Sequence, residues 1–219
     1  MEQKNQKTRN LVTVGLMAAL VFIFTYIHID IPTPLGKTML HLGNVMCILG
    51  AFLFGKKKGA LAAGIGSMFY DLFDPAFIAQ CWITFILKFA MAWVAGAIAE
   101  GGRRRGAPLC GQDAGETPAN GGAAAGVAAA PQKKHLGRSI AAALCGALTY
   151  VALYLGKTFI INYWIYQYAL ETVLATMVTK GTTSLVNALI AVAASVALNS
   201  AVRPALEKAG LADRLGVVE

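Results

Sequence analysis

Six apolar runs, each closed by polar or helix-breaking residues, set the pattern of this chain. Residues 11–29 form the first and are long enough to cross a bilayer, which takes roughly 20 apolar residues in a helix. Asp30, Pro32, Pro34 and Gly36 then break the helical pattern. Residues 40–55 and 59–73 make two shorter runs on either side of Lys56, Lys57 and Lys58, and the second of these is rich in glycine. Asp74-Pro75 reads as a turn. Residues 81–99, 138–161 and 182–202 complete the set, the last stopping near Arg203-Pro204. The pattern predicts an all-α integral membrane protein with six transmembrane helices.

Between the fourth and fifth runs the composition changes. Residues 101–137 are dominated by Gly, Ala and Pro, with few large apolar groups, and read as a flexible linker. The expected organisation is one membrane domain: helices one to four over residues 1–100, the linker over 101–137, and helices five and six with a tail over 138–219. Residues 162–181 form a segment between the last two helices. Tyr163, Trp164, Tyr166 and Tyr168 there fit an interfacial aromatic belt.

Charge orients the chain. Of 19 Lys and Arg, most fall before the first run, between the second and third, between the fourth and fifth, and after the sixth. Lys37, Lys88, Lys157 and Lys180 are the exceptions. Basic connections stay on the cytoplasmic side, so both termini are expected inside. The chain is 57% hydrophobic and its mean hydropathy is +0.58, too apolar for a soluble domain of this length. A sequence pI near 9.4 invites a nucleic-acid reading. The basic residues abut apolar runs, however, so anionic lipid and the insertion bias account for them and no nucleic-acid partner is expected. A cleaved leader is not expected either, since no small-residue cleavage site follows the long first run. Cys47, Cys81, Cys110 and Cys145 have no metal-site or redox spacing.

No catalytic constellation stands out, and neither an enzyme activity nor a cofactor is expected. Gly36-Lys37-Thr38 resembles the end of a phosphate loop. The glycine needed five residues earlier is Ile31, which removes ATP binding by this chain. The stronger signal is a set of polar residues near the outer ends of several helices. His41 and Asn44 share one face of the second, Asp71 ends the third, and Lys88 sits two turns into the fourth. Lys157 and Asn162 close the fifth, and Asn187 lies inside the sixth. A lysine in hydrocarbon costs on the order of 2.5–3.5 kcal/mol, less if it reaches the surface. Two readings stand: snorkelling or a structural Lys88–Asp71 pair, and a solute pocket open to the outside with Lys37 and Trp164 near its mouth. On the first helix, Gly15 and Ala19 with neighbouring Ala18 make a flat small-residue face, for packing within the chain or against a partner.

Residues 37–73, KTMLHLGNVMCILGAFLFGKKKGALAAGIGSMFYDLF, in this six-helix layout resemble the substrate-binding S components of energy-coupling factor (ECF) vitamin transporters, in the riboflavin-type group. Residues 37–100 carry most of the resemblance, and the linker has no counterpart in it. The resemblance implies capture of a vitamin or vitamin precursor from outside a prokaryotic cell membrane. It also implies a membrane coupling subunit with two ATP-binding subunits as partners. On the same footing, Gly15, Ala18 and Ala19 correspond to the family's docking surface, and residues 30–39 to the loop that closes over the solute. The alternatives are a gradient-driven carrier or channel, and a membrane scaffold with no solute.

Overall fold

The computed structural model describes residues 2–106 and 132–210. Helix α1 (Glu2–Tyr26) leads into a two-stranded antiparallel hairpin, β1 (His28–Thr33) and β2 (Gly36–His41). Then come α2 (Gly43–Phe73), a 3-10 turn (Ile78–Gln80), α3 (Cys81–Gly106), α4 (Gln132–Phe159), a π turn (Ile160–Ile165) and α5 (Leu170–Lys208).

The hairpin replaces both the end of the first predicted helix and the open loop expected over residues 30–39. Its register pairs His28 with His41 and Thr33 with Gly36, so Pro34-Leu35 forms the tip. Gly36 sits at φ 104°, and the Thr33 hydroxyl donates to the Gly36 carbonyl at 3.0 Å. Pro32 is tolerated because a two-stranded ribbon has only edge strands.

Helix α2 is two helices folded back at Gly55, whose φ of 79° lies outside the helical range. The segments 43–54 and 56–73 lie against each other, as the 3.9 Å contact between Cys47 Sγ and Ser67 Oγ requires. The two short runs of the sequence are thus both present, joined by a single-residue reversal. A Cβ on Gly59 would meet the Ala51 Cα at 2.5 Å, so this crossing has room only for glycine. Lys56 opens the second segment. Its backbone N–H donates to Glu100 Oε1 at 2.7 Å, so a carboxylate from α3 satisfies one of the unpaired donors at that helix start.

Most of the core comes from α2, including Ile48, Phe52, Ala60 and Ala63, packed against Met17 and Val21 of α1 and Met91 and Ala92 of α3. By contrast, Leu11 (74% exposed), Trp82 (71%), Val178 (69%) and Leu189 (65%) point outward from the other helices. A bundle with large apolar side chains on its outside and its small and polar residues inside is built for lipid. Four spans have the length and composition to cross a membrane: Gln6–Tyr26, Ile78–Gly101, Leu136–Ile165 and Leu170–Leu206. The chain is an all-α, multi-pass membrane protein.

Several predicted boundaries move. Helix α3 continues to Gly106 and α4 begins at Gln132, so only 107–131 of the expected linker remain, and these lie outside the described residues. Helix α5 begins at Leu170 instead of 182, absorbing much of the segment read as a connection, because Gly181 alone does not break a long helical run. It also passes through Pro204 to Lys208. A proline removes one backbone donor but does not forbid the next turns.

Candidate solute site

The hairpin lies across one end of the bundle, and beneath it is a small polar cavity. Thr38, Met39 and His41 of β2 form its roof, and Thr25 of α1, Ser67 and Asp71 of α2, and Thr84, Leu87 and Lys88 of α3 contribute to its walls. Tyr150, Tyr154 and Lys157 of α4 and Ser184 and Asn187 of α5 close it. All five helices therefore present polar groups to one point. The cavity volume is about 50 Å³, enough for a few waters.

Lys88 is part of its lining and is 3% exposed. Its ammonium donates to Asn44 Oδ1 and sits 4.0 Å from the centroid of the Tyr150 ring. The amide oxygen and the ring face together partly replace its lost water. Among the described residues Lys88 makes no ion pair, so the Lys88–Asp71 pair considered from the sequence does not form. Asp71 is 6% exposed, and its Oδ2 has no hydrogen-bond partner among the described residues. A buried carboxyl oxygen with no protein partner at a cavity wall is free to accept a hydrogen bond from what enters the cavity. His41 and Asn187 are buried in the same lining, and His41 Nδ1 accepts the Gly43 backbone N–H at 3.1 Å.

The remaining expected site residues are placed differently. Lys37 lies outside the cavity, on the hairpin's outer face, with Nζ 3.0 Å from Asp30 Oδ2 and 2.9 Å from Asp74 Oδ2. It ties the hairpin to the turn after α2. Hydrogen bonding to Asp74 raises its pKa above the ordinary lysine value, against a smaller opposing effect of burial. Burial pushes Asp74 upward, but its bonds from Lys37 and from the Ala76 backbone N–H outweigh this and leave it below the usual carboxylate value. Asn162 is buried, but its Nδ2 donates to the Thr158 carbonyl at 2.9 Å, and it faces a second, outer cleft. Trp164 is 73% exposed and lines neither space.

Sequence reasoning missed Tyr150 and Tyr154, one turn apart with stacked rings 5.7 Å between centroids. It also missed the hydroxyls of Thr25, Thr38, Ser67, Thr84 and Ser184. Thr38 Oγ1 lies 3.4 Å from the Tyr154 hydroxyl and joins the roof to α4. Their spacing alone gave no signal, because aromatic and hydroxyl residues inside apolar runs read as core.

On α1 the small residues divide. Ala18 is 7% exposed and faces the bundle, where a Cβ on Gly66 would meet its carbonyl at 2.4 Å. Gly15 and Ala19 are exposed, and a Cβ on Gly15 would meet nothing within 4 Å.

None of the curated proteins compared with the chain matches it. A family model does: that of the ECF-type riboflavin transporter, S component, over residues 5–109. This stretch runs from α1 through the hairpin and the folded α2 to the end of α3, and it supplies the roof and three of the five walls of the cavity. The match covers just under half of the chain and supports an S component of the riboflavin-type ECF group, a substrate-binding subunit of a transporter.

Proposed function

We propose that this chain captures a vitamin or vitamin precursor from outside a prokaryotic cell and delivers it through a membrane coupling subunit driven by two ATP-binding subunits. The observation that carries this reading is the convergence of Lys88, Asp71, His41 and Asn187 on one cavity beneath a hairpin, in a chain of S-component family. In this reading six helical segments cross the membrane, the two halves of α2 included. Both termini and residues 107–131 are cytoplasmic, and the hairpin end faces outward, as the distribution of Lys and Arg favours.

The hairpin acts as the lid. Ligand sites for molecules of vitamin size occupy roughly 300–1,000 Å³, far above the 50 Å³ beneath it. Admission of solute therefore requires the hairpin to lift and the side chains under it to part. On closing, Asp71 Oδ2 accepts a donor from the solute, Lys88 donates to an acceptor, and Tyr150 and Tyr154 flank a ring.

The test is mass spectrometry of small molecules released from the chain purified in detergent after growth in rich medium, with a thermal-shift panel of vitamins. A stoichiometric vitamin-like compound is expected. An empty protein that no vitamin stabilises overturns the reading. Transport by liposomes holding this chain alone would replace it with a gradient-driven carrier.

A further inference from the structure

A second space lies outside the lid. It is a cleft of about 550 Å³ between the hairpin tip and the segment joining α4 to α5. Pro34, Leu35 and Gly36 form one side, and Asn162, Tyr166 and Tyr168 the other. Lys157 and Lys180 project from α4 and α5 into it, and no acidic residue is part of its lining. Neither lysine forms an ion pair among the described residues. Glu171, the acid in the first turn of α5, is outside the lining.

Two further features make this a built cleft. Gln167 holds φ 53°, a region that costs a non-glycine residue energy, and Tyr166 and Tyr168 on either side of it both face the cleft. Their rings lie 5.8 Å apart, both exposed. In addition, Lys157 is the one residue that lines both this cleft and the inner cavity, among those described. Its ammonium donates to Gln80 Oε1 and lies 5.3 Å from the Tyr154 ring centroid, so it stands at the junction of the two spaces.

We infer that the outer cleft is an initial docking site for an anionic group on the solute, carboxylate or phosphate, held by Lys180 and Lys157. The cleft is large enough for a vitamin-sized molecule while the inner cavity is not. Two lysines without an ion-pair partner among the described residues, in a recess with low-dielectric walls, attract and orient an anion before the lid opens. The acidic group then stays on Lys157 while the rest of the solute enters below. This rests on the binding role proposed above and narrows it to acidic solutes.

The experiment is titration calorimetry of the purified full chain with matched acidic and neutral compounds. The pairs are nicotinate and nicotinamide, pantothenate and pantothenol, pyridoxal 5′-phosphate and pyridoxal, riboflavin 5′-phosphate and riboflavin. In the pair that binds, the acidic member is expected to bind at least about tenfold more tightly, and the pair identifies carboxylate or phosphate. Lys180→Gln should erase the preference with less than about a twofold change for the neutral member, and Lys180→Arg should retain it. Equal or tighter binding of the neutral member, or a preference that survives Lys180→Gln, overturns the inference and leaves the binding role intact. Failure of every pair to bind the wild-type chain overturns the inference, and the binding role falls with it only if no vitamin of the thermal-shift panel stabilises the chain.

Discussion

Lys37 and Asp74, 37 positions apart in sequence, meet at 2.9 Å and fasten the hairpin to the turn after α2. Lys37 also reaches Asp30 on its own hairpin, and its ammonium lies 5.6 Å from the Phe77 ring centroid. If the hairpin is the lid, this pair is its latch. Partly exposed ion pairs contribute roughly 0.2–1 kcal/mol. Asp74→Asn should therefore speed solute release by up to about fivefold without changing the fold. Stopped-flow release measurements check this, and an unchanged rate removes the latch.

The same pair fixes a pH dependence. Asp74 has a lowered pKa, so its contribution is present above the ordinary carboxylate value and is lost as pH falls through the lower folded value. Lys37 has a raised pKa, so its contribution is present below the ordinary lysine value and is lost as pH rises through the higher folded one. Both ions persist from about pH 5 to about pH 9. The difference in release rate between wild type and Asp74→Asn should be flat across that window and shrink below about pH 4. A difference that changes steeply near neutral pH would assign the latch to another group.

Lys88 sets stability against binding. A buried cation without an ion-pair partner costs desolvation that an amide oxygen and a ring face do not fully return. Lys88→Met keeps the volume and removes the charge. The empty variant should melt at the same or a higher temperature than wild type, while solute affinity falls by at least about tenfold, or 1.4 kcal/mol. Lower stability together with unchanged affinity would make Lys88 a structural residue only.

The fold-back of α2 makes a separate demand. Gly59→Ala would put a methyl group 2.5 Å from the Ala51 backbone, where no side chain can move aside. A cost of about 1–3 kcal/mol is expected from such overpacking. Gly101→Ala, in open space at the exposed end of α3, should be neutral or slightly stabilising. Thermal unfolding in detergent separates the two, and equal melting temperatures would deny the close crossing.

The polar floor of the site was legible because Asp71, Lys88 and Asn187 interrupt apolar runs at matching depth. Such residues inside a membrane helix need a partner or a task. The partners of Lys37 were not legible, since an ion pair made across a fold leaves no periodic trace. The hairpin was hidden for a related reason. Pro32, Pro34 and Gly36 announce a break in helix, but strand pairing depends on the register between His28–Thr33 and Gly36–His41, which the breakers do not specify. Pro204 misled in the opposite direction, because the turns beyond it are held by their own backbone bonds.

The small residues of α1 show how the two roles left open by the sequence come apart, and the last prediction follows from that division. Ala18 packs inward against the second half of α2, whereas Gly15 and Ala19 face away from the bundle. In a bilayer, an exposed small-residue face lets another helix approach closely. Ala19→Leu should therefore leave the melting temperature and solute affinity of the isolated chain within error of wild type while abolishing co-purification with the coupling subunit proposed above. Ala18→Leu should lower the melting temperature, since its added methylenes have only the α1–α2 contact to enter. If Ala19→Leu also destabilises the isolated chain, the outward face belongs to internal packing and the coupling subunit docks elsewhere.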